Sequence, residues 1–189
     1  MRQPYPSQYV TLWTLGDGTP VIVRPIRPED EPLMIAFHQA ISGETVYLRY
    51  FHALKLTQRV AHERLTRICF IDYDREMVLV ADREDPVTGA HEILGVGRLN
   101  RRHGTDDAEF ALIIRDNFQR CGMGTTLLRQ LIAFAREERV QRIVGEILIQ
   151  NHAMQRVCAK LGFRLSSDAA SGLVHAELDL AADRAQCDG

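Results

Sequence analysis

The stretch Gln119-Arg120-Cys121-Gly122-Met123-Gly124 lies between an apolar run, Phe110 to Ile114, and a strongly helical one, Thr125 to Glu138. That order sets a glycine-containing turn between a strand and a helix. Glycine removes the Cβ that would hold a ligand away from the backbone, and the first turn of a helix leaves several N–H groups without intrahelical partners. A turn of this kind suits phosphate oxygens. The spacing departs from both common nucleotide motifs. No Lys-Ser or Lys-Thr pair follows the glycines as a P-loop requires, and no third glycine stands at dinucleotide-fold spacing.

The 189 residues, 46% hydrophobic and 25% charged, suffice for one domain with a real core and are few for two. A net charge of −2 gives no bulk attraction to nucleic acid or anionic lipid, so neither is expected as a partner. No apolar stretch reaches membrane-spanning length, and Met1-Arg2-Gln3-Pro4-Tyr5-Pro6 lacks the apolar centre of a secretory signal, which together point to the cytoplasm. Cys69, Cys121, Cys158 and Cys187 form no C-x-x-C pair, so reduced thiols are expected and no metal site.

Residues 1–8 read as a polar, Pro-rich tether, 9–180 as the domain and 181–189 as a disordered tail. Two β-prone runs flank Gly16-Asp17-Gly18, a hairpin signal. Pro28-Glu29-Asp30-Glu31 opens a helix whose apolar positions Leu33, Met34, Phe37 and Ile41 recur at helical spacing until Ser42-Gly43 stops it. Helices are expected again over about Glu44–Phe51 and Thr57–Ile68. Strands follow at Met77–Ala81, Ile93–Leu99 and Ala108–Ile114, then the glycine turn and its helix, a strand at Gln141–Ile149, a helix at Asn151–Leu161 closed by Gly162, and a final pair at Phe163–Ser166 and Leu173–Leu180. The order predicts an α/β fold around a mixed, mostly antiparallel central sheet flanked by helices.

The pattern Q-x-x-G-x-G at Gln119–Gly124 resembles the acyl-CoA pyrophosphate loop of the GNAT N-acyltransferases. A second anchor, Asn151-x-x-Met154-x-x-Val157-Cys158-x-Lys160-Leu161-Gly162-Phe163, looks like the segment after the fifth strand of that family. The resemblance covers about Tyr9 to Leu180 and implies a GNAT-like fold and acetyl-CoA as cosubstrate, held by Gln119, Arg120, Cys121, Gly122, Met123, Gly124 and Thr125. It further implies that the backbone of Leu112, Ile113 and Ile114 bonds the pantetheine arm as a neighbouring strand would. Asn151 caps a helix and, in this family, commonly also touches the cofactor. Within the family, Val23–Glu31 and Ser42–Phe51 look like the acetyltransferase domain of Pat-type protein lysine acetyltransferases.

Acyl transfer needs a neutral amine, whereas an exposed lysine has a pKa of about 10.4. A base is required, and Glu109 is the leading candidate, because an acid inside the apolar strand Ala108–Ile114 is expected to be buried and hence a stronger base. Pat-type enzymes use a glutamate in this setting, and Ala108-Glu109-Phe110-Ala111 resembles their strand. Glu146 is held in reserve. Where many GNAT enzymes carry a tyrosine that protonates the departing thiolate, this chain has Cys158, read as core filler, which leaves the general acid unassigned. Arg49, beside Tyr47, Tyr50 and Phe51, either contacts substrate or pairs with an acid. The resemblance implies transfer to a protein lysine, for instance on an acyl-CoA synthetase, by direct attack. A small amine as acceptor and an inactive acyl-CoA-binding regulatory module are the alternatives.

Overall fold

The computed structural model describes residues 4–73 and 75–181. Its eight strands are β1 (Thr11–Thr14), β2 (Pro20–Pro25), β3 (Glu76–Glu84), β4 (His91–Arg101), β5 (Asp107–Ile114), β6 (Arg142–Leu148), β7 (Arg164–Asp168) and β8 (Leu173–Asp179). They form one sheet in the order β1-β2-β3-β4-β5-β6-β8-β7, in which only the β5–β6 pair is parallel. The fold is therefore the mixed, mostly antiparallel α/β layout that the element order predicts.

Both faces of the sheet are covered, and the alternation of β3 shows why its centre is an unbroken apolar run. Met77, Leu79 and Ala81 point into one core, beneath α5 (Met123–Glu137) and α6 (His152–Lys160). Val78 and Val80 point into the other, beneath α1 (Glu31–Gln39), α2 (Gly43–Tyr50) and α4 (His62–Cys69). Gly95 and Gly97 in β4 have a packing reason. A Cβ on Gly95 would come within 2.8 Å of Met123 Sδ, and one on Gly97 within 3.2 Å of Leu131 Cδ1, so α5 lies on the strand only because both are bare.

Two expected boundaries differ. Ser42 does not stop α1, which ends at Gln39; it starts α2, its Oγ accepting from Thr45 N–H at 3.2 Å. The single helix expected over Thr57–Ile68 is two, α3 (Leu56–Arg59) and α4, broken at an extended Ala61. The break lets Arg59 turn inward, where its Nη1 donates to the carbonyl of His38 at 2.9 Å. Of the tether expected over residues 1–8, the described part lies against the body: Tyr5 Oη donates to Pro25 O at 3.0 Å and Arg27 stacks over the Tyr5 ring at 4.7 Å. Of the tail expected over 181–189, residues 182–189 lie outside the described residues.

The helix layer over β2 and β3 is locked by a buried ionic cluster. Arg24 donates from Nη1 and Nη2 to both oxygens of Asp30 at 2.7 Å and from Nε to Asp82 at 2.9 Å, all three residues being nearly inaccessible. Asp30 also accepts from Arg27 N–H at 2.7 Å, and Asp82 from His91 Nδ1 at 2.9 Å. Every charge in the cluster has a hydrogen-bonded partner, the condition under which buried ions are tolerated.

His38, in the same layer, lacks such partners. It is 1% exposed, and neither ring nitrogen has a hydrogen-bond partner. Burial, reinforced by the charges of Arg59 and Arg64, pushes its pKa down from 6.5 to about 4. The unfolded chain thus binds this proton more readily than the native one, so stability is unaffected above about pH 6.5 and falls as pH drops toward 4, by up to about 3 kcal/mol. Denaturant titrations from pH 7 to 4 should show His38→Leu losing less stability than the wild type across that window. Parallel curves would mean that His38 does not titrate on unfolding.

Candidate functional site

The site begins where the sheet opens. β5 and β6 pair over only three positions, Asp107 with Arg142, Ala108 with Ile143 and Glu109 with Val144. Beyond them β5 stays on β4 as far as Ile114, and β6 stays on β8 as far as Leu148. Phe110 occupies the fork. A Cβ on Gly145 would clash with its ring at Phe110 Cε1, and that ring also stands edge-on to Phe163 at 5.3 Å. The open edge of β5 gives main-chain N–H and C=O groups that a bound extended molecule can pair with.

A groove of about 750 Å³ runs from this edge. Leu112, Ile113 and Ile114 form one wall, α2 a second and the start of α6 a third. Its far end is the glycine turn. Arg120 (φ +62°) and Gly122 (φ +92°) are both left-handed, the kind of backbone turn that aims successive N–H groups to one side. Gly122 caps α5 without a side-chain acceptor, and the first bond of the ladder runs from Thr126 N–H to Gly122 O at 3.0 Å. The N–H groups ahead of that bond are available to an anion at the positive end of a 15-residue helix. Arg156 and Lys160, one turn apart on α6, add positive charge to the same groove, as does Arg120. The residues present therefore fit a long ligand with a phosphate group at one end and an amide-rich arm along β5.

Of the residues expected to hold that ligand, Gln119, Arg120, Gly122, Gly124, Thr125 and Asn151 line the groove. Cys121 and Met123 do not line it with their side chains. The Cys121 thiol donates to Phe118 O at 2.8 Å, and Met123, 1% exposed, fills the core beside Gly95, so their side chains turn away and only their backbone N–H groups remain in the turn. Asn151 caps α6, its Oδ1 accepting from Met154 N–H at 3.1 Å. Gln119 has a task the sequence did not suggest. Its Nε2 donates to Thr45 Oγ1 at 3.0 Å and to Ile114 O at 3.2 Å. Thr45 Oγ1 in turn donates to Asp116 Oδ1 at 2.8 Å, and Asp116 also accepts from Ser42 N–H at 2.9 Å and Ser42 Oγ at 2.6 Å. Partial burial works against ionisation of Asp116, yet these hydrogen bonds outweigh it and hold the carboxyl below the usual range. The turn and the N-terminus of α2 are thereby one hydrogen-bonded unit.

A second cavity of about 200 Å³ adjoins the fork and is lined by Leu48, Arg49, Tyr50 and Phe51 of α2 and the stretch after it, by Glu109 and by Glu146. Glu109 is not buried as expected. Its side chain is 52% exposed and lies 3.3 Å from Arg102. The period of the strand explains this: Ala108 and Phe110 face the α5 core, and Glu109 faces the opposite side, where only the end of α2 approaches. An exposed ion pair of this kind contributes little and is readily exchanged for another cation. Glu146, also half exposed, is 3.7 Å from His175 Nδ1.

Arg49 sits where the two cavities meet, on the ring of Tyr50 at 4.9 Å. Burial works most strongly against its charge; Tyr50 and Glu109 favour that charge, and Arg98 and Arg64 oppose it. The guanidinium nonetheless stays charged at any physiological pH. Cys158 is fully buried, its thiol pushed up to about 12 by burial alone, and belongs to the core as expected. Among the described residues no cluster of three or more His, Cys, Asp or Glu side chains is placed to hold a metal ion, and no helix is long and apolar enough to cross a membrane.

Residues 21–164 match the family model described as an acetyltransferase (GNAT) domain. The acetyltransferase PA5475 of Pseudomonas aeruginosa is 30% identical over 151 residues, covering 79% of this chain and 78% of that protein. Acetyltransferase Pat of Mycolicibacterium smegmatis is 28% identical over 140 residues, or 74% of this chain, which spans only 40% of the length of that relative. The crystal structure of the GNAT domain of S. lividans PAT superposes with a TM-score of 0.81 at 28% identity, covering 94% of this chain and 100% of that one.

The glycines separate fold from binding. Gly122 needs its left-handed backbone, so any substitution there strains the turn whatever it does to a ligand. Gly124 does not: a Cβ there meets nothing nearer than Val157 Cγ2 at 3.8 Å, and it stands inside α5. Gly124→Ala should hold or raise the melting temperature, by the 0.5–1 kcal/mol or so that alanine gains over glycine in a helix. Its affinity for acetyl-CoA in calorimetry should fall about tenfold, the cost of a displaced charge-assisted hydrogen bond. An unaltered affinity would remove the turn from the binding site.

Proposed function

Because the chain belongs to the GNAT acetyltransferase family and is an acetyl-CoA-dependent N-acetyltransferase, we propose that its acceptor is the ε-amine of a lysine on a folded protein, with Glu109 as general base. The observation that carries this reading is the likeness to the GNAT domain of S. lividans PAT over nearly the whole of both chains. The mycobacterial Pat, a more partial relative, supports the same reading. An acyl-CoA synthetase is the substrate class that the Pat-type resemblance suggests.

The residues divide the work by position. The backbone turn at Gln119–Thr125, with Arg120, holds the phosphates, the open edge of Leu112–Ile114 holds the arm, and Asn151 stands at the junction with the smaller cavity. Bound acetyl-CoA supplies an activated acyl group. Lysine arrives as an ammonium, and Glu109, at the mouth of the fork, exchanges its loose pairing with Arg102 for the incoming cation. Glu109 then accepts the proton, directly or through one water, which leaves a neutral nucleophile beside the thioester. Half exposure passes that proton on to solvent, so the base is reset without a second protein group. Glu146, across the same cavity, adds negative potential that favours the ammonium's entry.

Glu109→Gln keeps the shape and removes the base. Acetyl-CoA affinity should be unchanged while kcat falls by roughly 10² or more. Near-normal turnover at neutral pH would shift the role to Glu146 or to water. The acceptor class has its own test, because a protein substrate spreads recognition over a surface that a short peptide lacks. An intact acyl-CoA synthetase should be acetylated much faster than a peptide copied from its lysine site. Equal rates, or polyamines reacting as fast as any protein, would replace this proposal with a small-amine acceptor.

A further inference from the structure

The charged groups of the smaller cavity are not balanced within the protein. Two arginines beside it find carboxylates: Arg98 pairs with Glu76 and Arg102 with Glu109. Arg49 forms no ion pair among the described residues, and its guanidinium lies on the face of Tyr50. Arg64 approaches the same ring at 5.1 Å, so two guanidinium groups share one aromatic platform with no anion between them. The sequence left two roles open for Arg49, pairing with an acid or contacting substrate; Glu109 acts on it across the cavity but is paired with Arg102, and no carboxylate reaches the Arg49 fork among the described residues.

The position of Arg49 makes this more than a loose surface charge. It is in the last turn of α2, whose start is fixed by Asp116, and it lines the groove and the cavity at once. A partly desolvated guanidinium gains most from a bidentate carboxylate, for which its planar fork is shaped. The cavity that Arg49 shares with Glu109 and Glu146 holds about 200 Å³, so whatever enters is within a residue or two of both signs of charge. An occupant matched to it carries an ammonium and a carboxylate close together. The end of α2 also offers Arg49 some partial negative charge, a role that any cation there would fill.

Resting on the protein-lysine reading above, we infer that Arg49 is the acceptor-side recognition residue and that this enzyme selects lysines flanked in their own chain by an aspartate or glutamate. The flanking carboxylate takes the Arg49 fork while the ammonium meets Glu109. A flanking acid also holds the lysine cationic until it enters, so Arg49 frees the amine from its neighbour at the point where the base is waiting.

The test uses the whole chain as wild type, Arg49→Gln and Arg49→Lys, each incubated with isotope-labelled acetyl-CoA and a bacterial lysate, with acetylated lysines quantified by mass spectrometry. Lysines with Asp or Glu within two positions should dominate the wild-type set. In Arg49→Gln their acetylation should fall about tenfold to a hundredfold relative to lysines without such a neighbour, as expected for losing a hydrogen-bonded ion pair. Arg49→Lys keeps the charge at the helix end but not the fork, and should recover only part of the preference. A uniform fall across all lysines, full recovery by lysine, or a loss traced by calorimetry to acetyl-CoA affinity would overturn the inference while leaving the protein-lysine reading intact. If the wild type acetylates no lysine in the lysate, both fall together.

Discussion

The parting of β5 from β6 is the constraint on which the rest of the molecule turns. A sheet that stayed closed would satisfy every backbone group and leave nothing to bind with. Three paired positions at Asp107–Glu109 hold the two strands together, and the Phe110 ring over the bare Gly145 holds them apart immediately afterwards. Both halves of the sheet must then be stable without each other. β4 supports β5, and β8 supports β6, each along its full length. The large groove, the turn that ends it and the smaller cavity beside Glu109 are all spaces left by that parting.

The hydrogen-bonding turn and its helix were legible in the sequence because everything they need is local. A strand, two glycines and a helical run over about thirty residues state their own geometry. The order of elements likewise gave the mixed sheet. The buried role of Gly95 and Gly97 was visible only as an interruption, since the partners that press on them, Met123 and Leu131, lie far along the chain. Arg24, Asp30 and Asp82 are similarly ordinary in sequence and become a closed ionic cluster only through the pairing of β2 with β3.

Glu109 shows where residue-by-residue reasoning fails. Apolar neighbours on both sides suggested burial, but in a strand neighbours face away from each other, and what matters is the covering on the residue's own side. At the fork that side is thin. Exposure changes the way such a carboxylate can work: it gains nothing from a dry surround and acts by placement and by easy exchange of partners. Asp116 failed to register for a different reason. A lone acid in a loop is unremarkable, and the donors it accepts from, Ser42 and Thr45, lie more than seventy positions away in the chain.

That remote cap gives α2 a conditional existence. With eight residues the helix is too short to persist on its own, and its first turn is held by a carboxylate belonging to the loop before α5. Gln119, in that same loop, carries the connection onward through Thr45. The two ends of the reaction path therefore share one local unfolding equilibrium. Whatever quiets the loop also slows the fraying of α2, and by reciprocity whatever settles on α2 steadies the loop. Amide hydrogen exchange along Gly43–Tyr50 would register occupancy of the glycine turn, a separate element joined to α2 through Gln119 and Asp116.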